Sequence, residues 1–132
     1  MKAAKKPFFS TVWFHTPHLP VATNEAWRNL YSGMSLFEQN YFGSISAMDE
    51  QMGRLWSYLK SIGEADNTII FYCSDNGPEE KTPGSAGKFR ADKRDLYEGG
   101  VRVPAFVVWK DQLKGGRSID APMVTLIIFQ LF

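Results

Sequence analysis

Residues 41–77 read YFGSISAMDEQMGRLWSYLKSIGEADNTIIFYCSDNG and contain the two patterns that decide the fold. In the first half, apolar residues recur at alternating intervals of four and three, so they share one face of a helix of about six or seven turns. These residues are Tyr41, Ile45, Met48, Met52, Leu55, Leu59 and Ile62. Gly63 follows as a helix-stop signal. The spacing predicts one long amphipathic helix packed on a sheet.

Three segments have the composition of β-strands. Residues 68–73 (TIIFYC) form a continuous apolar run, typical of a central parallel strand buried on both faces. Residues 8–14 and 101–109 are rich in aromatic and β-branched residues and predict two further strands. The order strand, helix, strand, loop, strand indicates an α/β fold, with a mostly parallel central sheet, flanking helices and right-handed crossovers.

Composition limits the classes of function. The chain has 132 residues, enough for one domain, and 44% of them are hydrophobic, which supports a buried core. Its 15 basic and 14 acidic residues are dispersed, so we expect no nucleic-acid or anionic-membrane partner. Its single cysteine, Cys73, excludes an internal disulfide. Because Cys73 ends an apolar run, we interpret it as a buried structural residue rather than a nucleophile.

Polar side chains of catalytic type follow the predicted strands. His15 and His18 come after the first strand, and Asp75 and Asn76 come after the second. Ligands of open α/β sheets bind at the carboxyl ends of the strands. We therefore expect these two pairs at one edge of the sheet, with the long loop that follows bringing Lys93 to them.

Each of these residues also has an ordinary structural interpretation. Asp75 and Asn76 offer two oxygen ligands for a hard cation such as Ca²⁺ or Mg²⁺, but Asp-Asn-Gly-Pro is also a good turn sequence, and both interpretations can hold. His18 is either an anion ligand or proton donor, or a surface residue of a proline-containing loop. Lys93 lies among other charged residues, which is also typical of a solvated loop.

Six sequence blocks together resemble the sulfatase family of the alkaline-phosphatase-like superfamily. They occur in the order and spacing of that family, from about residue 7 to about residue 120. The blocks are residues 7–9 (PFF), 15–18 (HTPH), 48–49 with 53–55 (MD and GRL), 66–68 (DNT), 74–79 (SDNGPE) and 97–104 (YEGGVRVP). The resemblance implies a partial alkaline-phosphatase-like sandwich and hydrolysis of a sulfate ester. It also implies a periplasmic or secreted location.

The resemblance also implies a role for each candidate residue. Asp75 and Asn76 match metal ligands, usually of calcium and less often of magnesium. Lys93 and His18 match catalytic residues that contact the sulfate. His15 is expected to contribute to substrate binding from behind these two residues. A cation at Asp75 and Asn76 would orient the sulfate, and Lys93 would neutralise its oxygens. The implied partner is a sulfated small molecule or glycan.

Parts of the family's pattern are missing, among them the two consecutive aspartates of its first metal pair, a further lysine and its nucleophile. Its nucleophile is a formylglycine made from Cys or Ser in a Cys/Ser-x-Pro-x-Arg motif, which does not occur in this sequence. We therefore expect residues 1–132 to be part of a sulfatase catalytic domain, with the nucleophile in the parent protein outside them and a divergent tail at 125–132. We expect this chain alone to lack turnover, and to self-associate through exposed sheet edges.

Two other functions fit the same residues. The first is a phosphonate or phosphate monoester hydrolase of the same superfamily, which would use similar metal ligands. The second is a non-catalytic protein that binds an anion or Ca²⁺ through this half of the site.

Overall fold

The computed structural model describes residues 6–125, which form helices and a small sheet. A short helix, α1 (Glu25–Arg28), leads through a 3-10 turn at Asn29–Tyr31 into the long helix α2 (Leu36–Ser61). Strand β1 (Ile70–Cys73), the one-turn helix α3 (Glu98–Val101) and strand β2 (Ala105–Val108) follow. The α/β class predicted from the sequence is confirmed.

Helix α2 confirms the helix predicted from the apolar spacing, and it begins at Leu36, before Tyr41, the first residue of that pattern. Ser35 and Glu38 form a capping box: the Ser35 hydroxyl accepts from the Glu38 N–H at 3.3 Å, and the Glu38 carboxylate accepts from the Ser35 N–H at 2.9 Å. These bonds use backbone donors that lack a partner inside the helix. At the other end, Gly63 has a φ of 72°, a left-handed conformation that glycine adopts without strain.

The two strands run antiparallel, which corrects the prediction of a mostly parallel sheet for the described residues. Ile70 pairs with Val108 and Cys73 with Ala105, and the rings of Tyr72 and Phe106 stack at 4.9 Å. The chain between the strands folds back on itself instead of crossing over the sheet. β2 therefore enters the sheet from the opposite direction, and residues 98–101 form α3 instead of the start of a strand.

The predicted first strand, residues 8–14, is not a strand in this structure. The side chains of this segment are exposed, Trp13 to 91%. Residues that favour β-structure form a strand only where a neighbouring strand completes the hydrogen-bond ladder. The sheet that the structure describes consists of β1 and β2 alone.

Few side chains are buried in the described part of the chain. The buried apolar residues are Tyr41 and Leu59 on α2 and Ala65 after it, whereas every residue of β2 is exposed. Cys73 is exposed, so its interpretation as a buried residue is wrong: it occupies the last position of β1, where the strand leaves the sheet. Within residues 6–125, the structure contains no helix with the length and apolarity needed to cross a membrane.

Candidate functional site

The segment after β1 is a tight turn that carries the two proposed metal ligands. The Ser74 hydroxyl donates to the Asn76 carbonyl oxygen at 2.9 Å, and the Asn76 side-chain amide donates to the Gly77 carbonyl oxygen at 2.7 Å. Because this hydrogen bond uses the side-chain nitrogen of Asn76, the side-chain oxygen remains the atom that can coordinate a cation. Asp75 is exposed, and its carboxylate has no hydrogen bond or ion pair with the residues that the structure describes.

Close backbone packing joins this turn to the long loop. The Gly77 N–H donates to the Gly100 carbonyl oxygen at 2.8 Å, and the Gly99 N–H donates to the Arg90 carbonyl oxygen at 2.8 Å. A Cβ atom built on Gly77 would overlap the carbonyl oxygen of Gly99. Only glycine fits at this contact, so the turn after β1 and the start of α3 have a defined spacing.

Lys93 lies beside the turn because the long loop returns to it. The Lys93 N–H donates to the Pro78 carbonyl oxygen at 2.9 Å. Its ammonium lies 3.9 Å from the nearer carboxylate oxygen of Glu79, and its side chain is only 20% exposed. Lys93 is thus a half-buried cation next to the Asp75–Asn76 turn, but its contact with a sulfate stays a prediction.

Glu79 was given no role in the sequence analysis, yet it is the centre of this charge cluster. Its carboxylate accepts a 2.6 Å hydrogen bond from the Arg94 guanidinium and lies near Lys93. The Arg94 hydrogen bond holds the pKa of Glu79 below its usual range, and the charges of Lys93 and His18 act in the same direction. Its place directly after the Asp-Asn-Gly-Pro turn, ahead of a basic loop, was the one signal in the sequence.

His15 and His18 lie close together in the amino-terminal loop. The His18 N–H donates to the His15 carbonyl oxygen at 2.9 Å, and the two rings are 5.2 Å apart. The His18 Nδ1 is 2.6 Å from the Leu19 carbonyl oxygen. Because a carbonyl oxygen only accepts, Nδ1 carries a proton and Nε2 is the ring nitrogen left for a ligand.

Asp75 and Asn76 provide some of the ligands that calcium requires. Ca²⁺ takes six to eight oxygen ligands. Asp75 and the side-chain oxygen of Asn76 are suitable and adjacent, and they would supply two of them. Among residues 6–125, no group of three or more His, Cys, Asp or Glu side chains is arranged to hold a metal ion. The two residues thus fit part of a calcium site.

Comparison with solved structures finds the same arrangement of elements in a longer protein. The structure is similar to Ps i-CgsB, solved in complex with k-i-k-neocarrahexaose, with a TM-score of 0.69 and 29% sequence identity. The match covers 72% of this chain and 21% of that one.

Curated relatives are sulfatases. The uncharacterized sulfatase YdeN of Escherichia coli (strain K12) is 31% identical over 118 residues, which cover 87% of this chain and 21% of YdeN. The steryl-sulfatase of Mus musculus is 32% identical over 130 residues, 92% of this chain and 20% of that protein. The N-acetylglucosamine-6-O-sulfatase of Bacteroides thetaiotaomicron is 40% identical over 85 residues, 64% of this chain and 14% of that protein.

The chain spans about one fifth of the length of the first two of these relatives. Residues 1–129 match the family model described as Sulfatase. With relatives that cover most of this chain at similar identity, the match establishes that the chain belongs to the sulfatase family.

Proposed function

We propose that this chain supplies the metal- and sulfate-binding half of a sulfatase active site, in a protein that hydrolyses sulfate esters. One observation supports this most directly: the long loop returns Lys93 to the turn that carries Asp75 and Asn76, where the Lys93 N–H donates to the Pro78 carbonyl oxygen at 2.9 Å. A potential anion contact thus lies beside the two potential cation ligands.

The chemistry of sulfate transfer suits this set of side chains. Charge develops on the oxygens of the transferred group and of the leaving group, so the protein's main contribution is to neutralise it. Lys93 would pair with a sulfate oxygen as a compact charge. His18 has Nδ1 committed to Leu19, so it can donate from Nε2 only as an imidazolium. We assign it donation of a proton or hydrogen bond to a sulfate or leaving-group oxygen.

Asp75 and Asn76 would hold the cation, with Ca²⁺ preferred because both ligands are oxygen atoms. A bound cation supplies positive charge that orients the sulfate and favours ionisation of the attacking hydroxyl. The nucleophile would be the formylglycine of the parent protein, so we expect no turnover from this chain alone. Measurable hydrolysis of an aryl sulfate that K93A abolishes would contradict this expectation.

Two of the similar proteins point to a sulfated saccharide as the substrate, whereas the steryl-sulfatase of Mus musculus is named for a sterol. One relative is named for a sulfated N-acetylglucosamine, and the similar solved structure is a complex with an oligosaccharide. The substrate of this chain's parent protein is accordingly proposed to be a sulfate ester on a glycan.

The direct test is binding of inorganic sulfate to the full 132-residue chain, measured by NMR titration. Lys93→Met removes the ammonium but keeps an apolar stem of similar length, and we expect it to weaken binding about tenfold or more. Lys81→Met is the matched control, since Lys81 is an exposed lysine that follows the same turn. An equal loss in both variants, or no binding by the unmodified chain, would contradict the proposal.

A further inference from the structure

Two consecutive cations approach the same carboxylate. Lys93 and Arg94 lie in a turn in which the Asp95 N–H donates to the Asp92 carbonyl oxygen at 3.1 Å, and Arg94 has a left-handed φ of 81°. The side chains of both residues reach Glu79. A non-glycine residue in this conformation is uncommon and often lies at a functional site, so the contact of Arg94 with Glu79 is a candidate for a functional role.

The two contacts with Glu79 are unequal. The Arg94 guanidinium lies 2.6 Å from Oε1 of Glu79, whereas the Lys93 ammonium lies 3.9 Å from Oε2, at the outer limit of an ion pair. The Glu79 side chain is 24% exposed and that of Arg94 is 71% exposed, so the guanidinium covers the carboxylate from the solvent side. Arg94 makes the short hydrogen bond with Glu79, and Lys93 makes only a long ion pair with it.

We propose that Arg94 is a positioning residue: it holds the Glu79 carboxylate so that this carboxylate does not close on Lys93, and the Lys93 ammonium stays available to a sulfate oxygen. The inference rests on the proposed function of Lys93 and extends it. A carboxylate beside a lysine competes directly with an anionic ligand, because both use the same N–H donors. A glutamate carboxyl group is ionised at neutral pH, so Glu79 is a charged competitor for these donors.

Loss of net positive charge is a simpler explanation for weaker sulfate binding by an Arg94 variant. Removing any nearby cation weakens the binding of an anion through the loss of net charge. That effect does not require Glu79, so it is similar whether or not the carboxylate is present. If Arg94 positions Glu79, the effect of replacing Arg94 on sulfate binding depends on whether Glu79 is present. A double-mutant cycle measures this dependence as a coupling between the two residues.

The experiment measures the sulfate dissociation constant of the full chain and of R94Q, E79Q and the double variant. We expect R94Q to weaken sulfate binding about tenfold when Glu79 is present, and less than about threefold in the E79Q background. Equal factors in the two backgrounds would overturn the inference. Failure of the unmodified chain to bind sulfate would overturn the proposed function as well. If K93M weakens sulfate binding as expected but R94Q has the same effect with and without Glu79, only this inference is overturned.

Arg90 provides a matched control. It lies in the same loop and has the same charge, but its guanidinium stacks on the ring of Tyr97 at 3.7 Å from the centroid. R90Q therefore removes an equal charge without releasing Glu79, and its effect on sulfate binding should be the same in the E79Q background. Coupling of equal size between Arg90 and Glu79 would show that the coupling does not require the Arg94–Glu79 hydrogen bond, and it would overturn the inference.

A second measurement does not depend on sulfate. Carboxyl-detected NMR follows the titration of Glu79 in the full chain and in R94Q. Loss of the Arg94 hydrogen bond should move the pKa of Glu79 back toward its ordinary range. An unchanged titration would mean that Arg94 does not hold this carboxylate, and the inference would be wrong.

Discussion

The backbone N–H of Gly77 donates a 2.8 Å hydrogen bond to the carbonyl oxygen of Gly100. This bond connects the turn that carries Asp75 and Asn76 with the far end of the loop that carries Lys93. The adjacent carbonyl of Gly99 lies where a side chain of residue 77 would have to stand. The spacing between the proposed cation ligands and the proposed sulfate contact therefore depends on contacts between glycine backbones.

Gly77→Ala tests this packing. The added methyl group has backbone atoms in its way, which are harder to displace than a flexible side chain. We expect a loss of about 1–3 kcal/mol in the free energy of unfolding, measured with urea. Gly53→Ala is the control: Gly53 lies inside α2 with open space around its Cα, and alanine there should stabilise the chain by about 1 kcal/mol. Unchanged stability in G77A would contradict the close approach.

Ser35→Ala should remove the amino-terminal cap of α2. The hydroxyl accepts from the Glu38 N–H, and its loss leaves that donor without its partner. We expect the free energy of unfolding to fall by about 1 kcal/mol. Ser57→Ala is a suitable control, because Ser57 is an exposed residue in the interior of the same helix and alanine has a slightly better helix propensity. If both substitutions had the same effect, the cap would contribute nothing.

The Glu79–Arg94 pair predicts a dependence of stability on pH. The folded chain holds the pKa of Glu79 below its ordinary value of 4.5, chiefly through the Arg94 hydrogen bond. A lowered pKa stabilises the folded state above the ordinary value, and the contribution is lost as pH falls through the lower, folded-state pKa. We expect the urea midpoint of the native chain to drop more steeply below pH 4.5 than that of E79Q.

The matched control for this titration is E80Q. Glu80 is the exposed neighbour of Glu79 and makes no ion pair with other residues between 6 and 125. E80Q should follow the native pH profile. Superimposable profiles for the native chain and E79Q would contradict the link between the pair and stability.

Calcium binding should depend on Asp75. With two oxygen ligands from the described residues, we expect weak binding, with a dissociation constant on the order of 1 mM. Asp75→Ala should weaken binding about tenfold, as followed by isothermal titration calorimetry, because the only charged ligand of the pair is lost. Asp49→Ala, at an exposed position of α2, should leave calcium binding unchanged. Equal affinity in D75A and the native chain would rule out this site.

Exposed β2 predicts self-association of the chain. Phe106 and Val107 are exposed, and the outer edge of a strand can pair with another chain. Val107→Lys places a charge on this strand, and we expect a smaller mean mass in analytical ultracentrifugation. Leu30→Lys is the control at an exposed apolar position, 63% accessible, outside the sheet. A monomeric native chain, or the same shift in both variants, would contradict the prediction.

The candidate site was only partly accessible to sequence reasoning. Asp75, Asn76, His18 and Lys93 were predicted from motif position, and the structure places the Lys93 ammonium 3.9 Å from the Glu79 carboxylate. Glu79 was missed because its partner Arg94 is 15 positions away, across a loop without periodicity. Nothing local to Glu79 indicates which cation it will meet.

Local sequence determined the elements whose stability is local. Helix α2 follows from its apolar spacing and from the cap at Ser35, since helix hydrogen bonds join residues four apart. The apolar run at residues 68–73 predicted the position of β1, but the strand itself depends on β2 as its ladder partner. The tertiary structure alone decided the antiparallel pairing of β1 and β2 and the absence of a strand at residues 8–14, because ladder partners are chosen by long-range approach. It also decided that one carboxylate would meet both Lys93 and Arg94, through a left-handed backbone at Arg94 that no spacing pattern predicts.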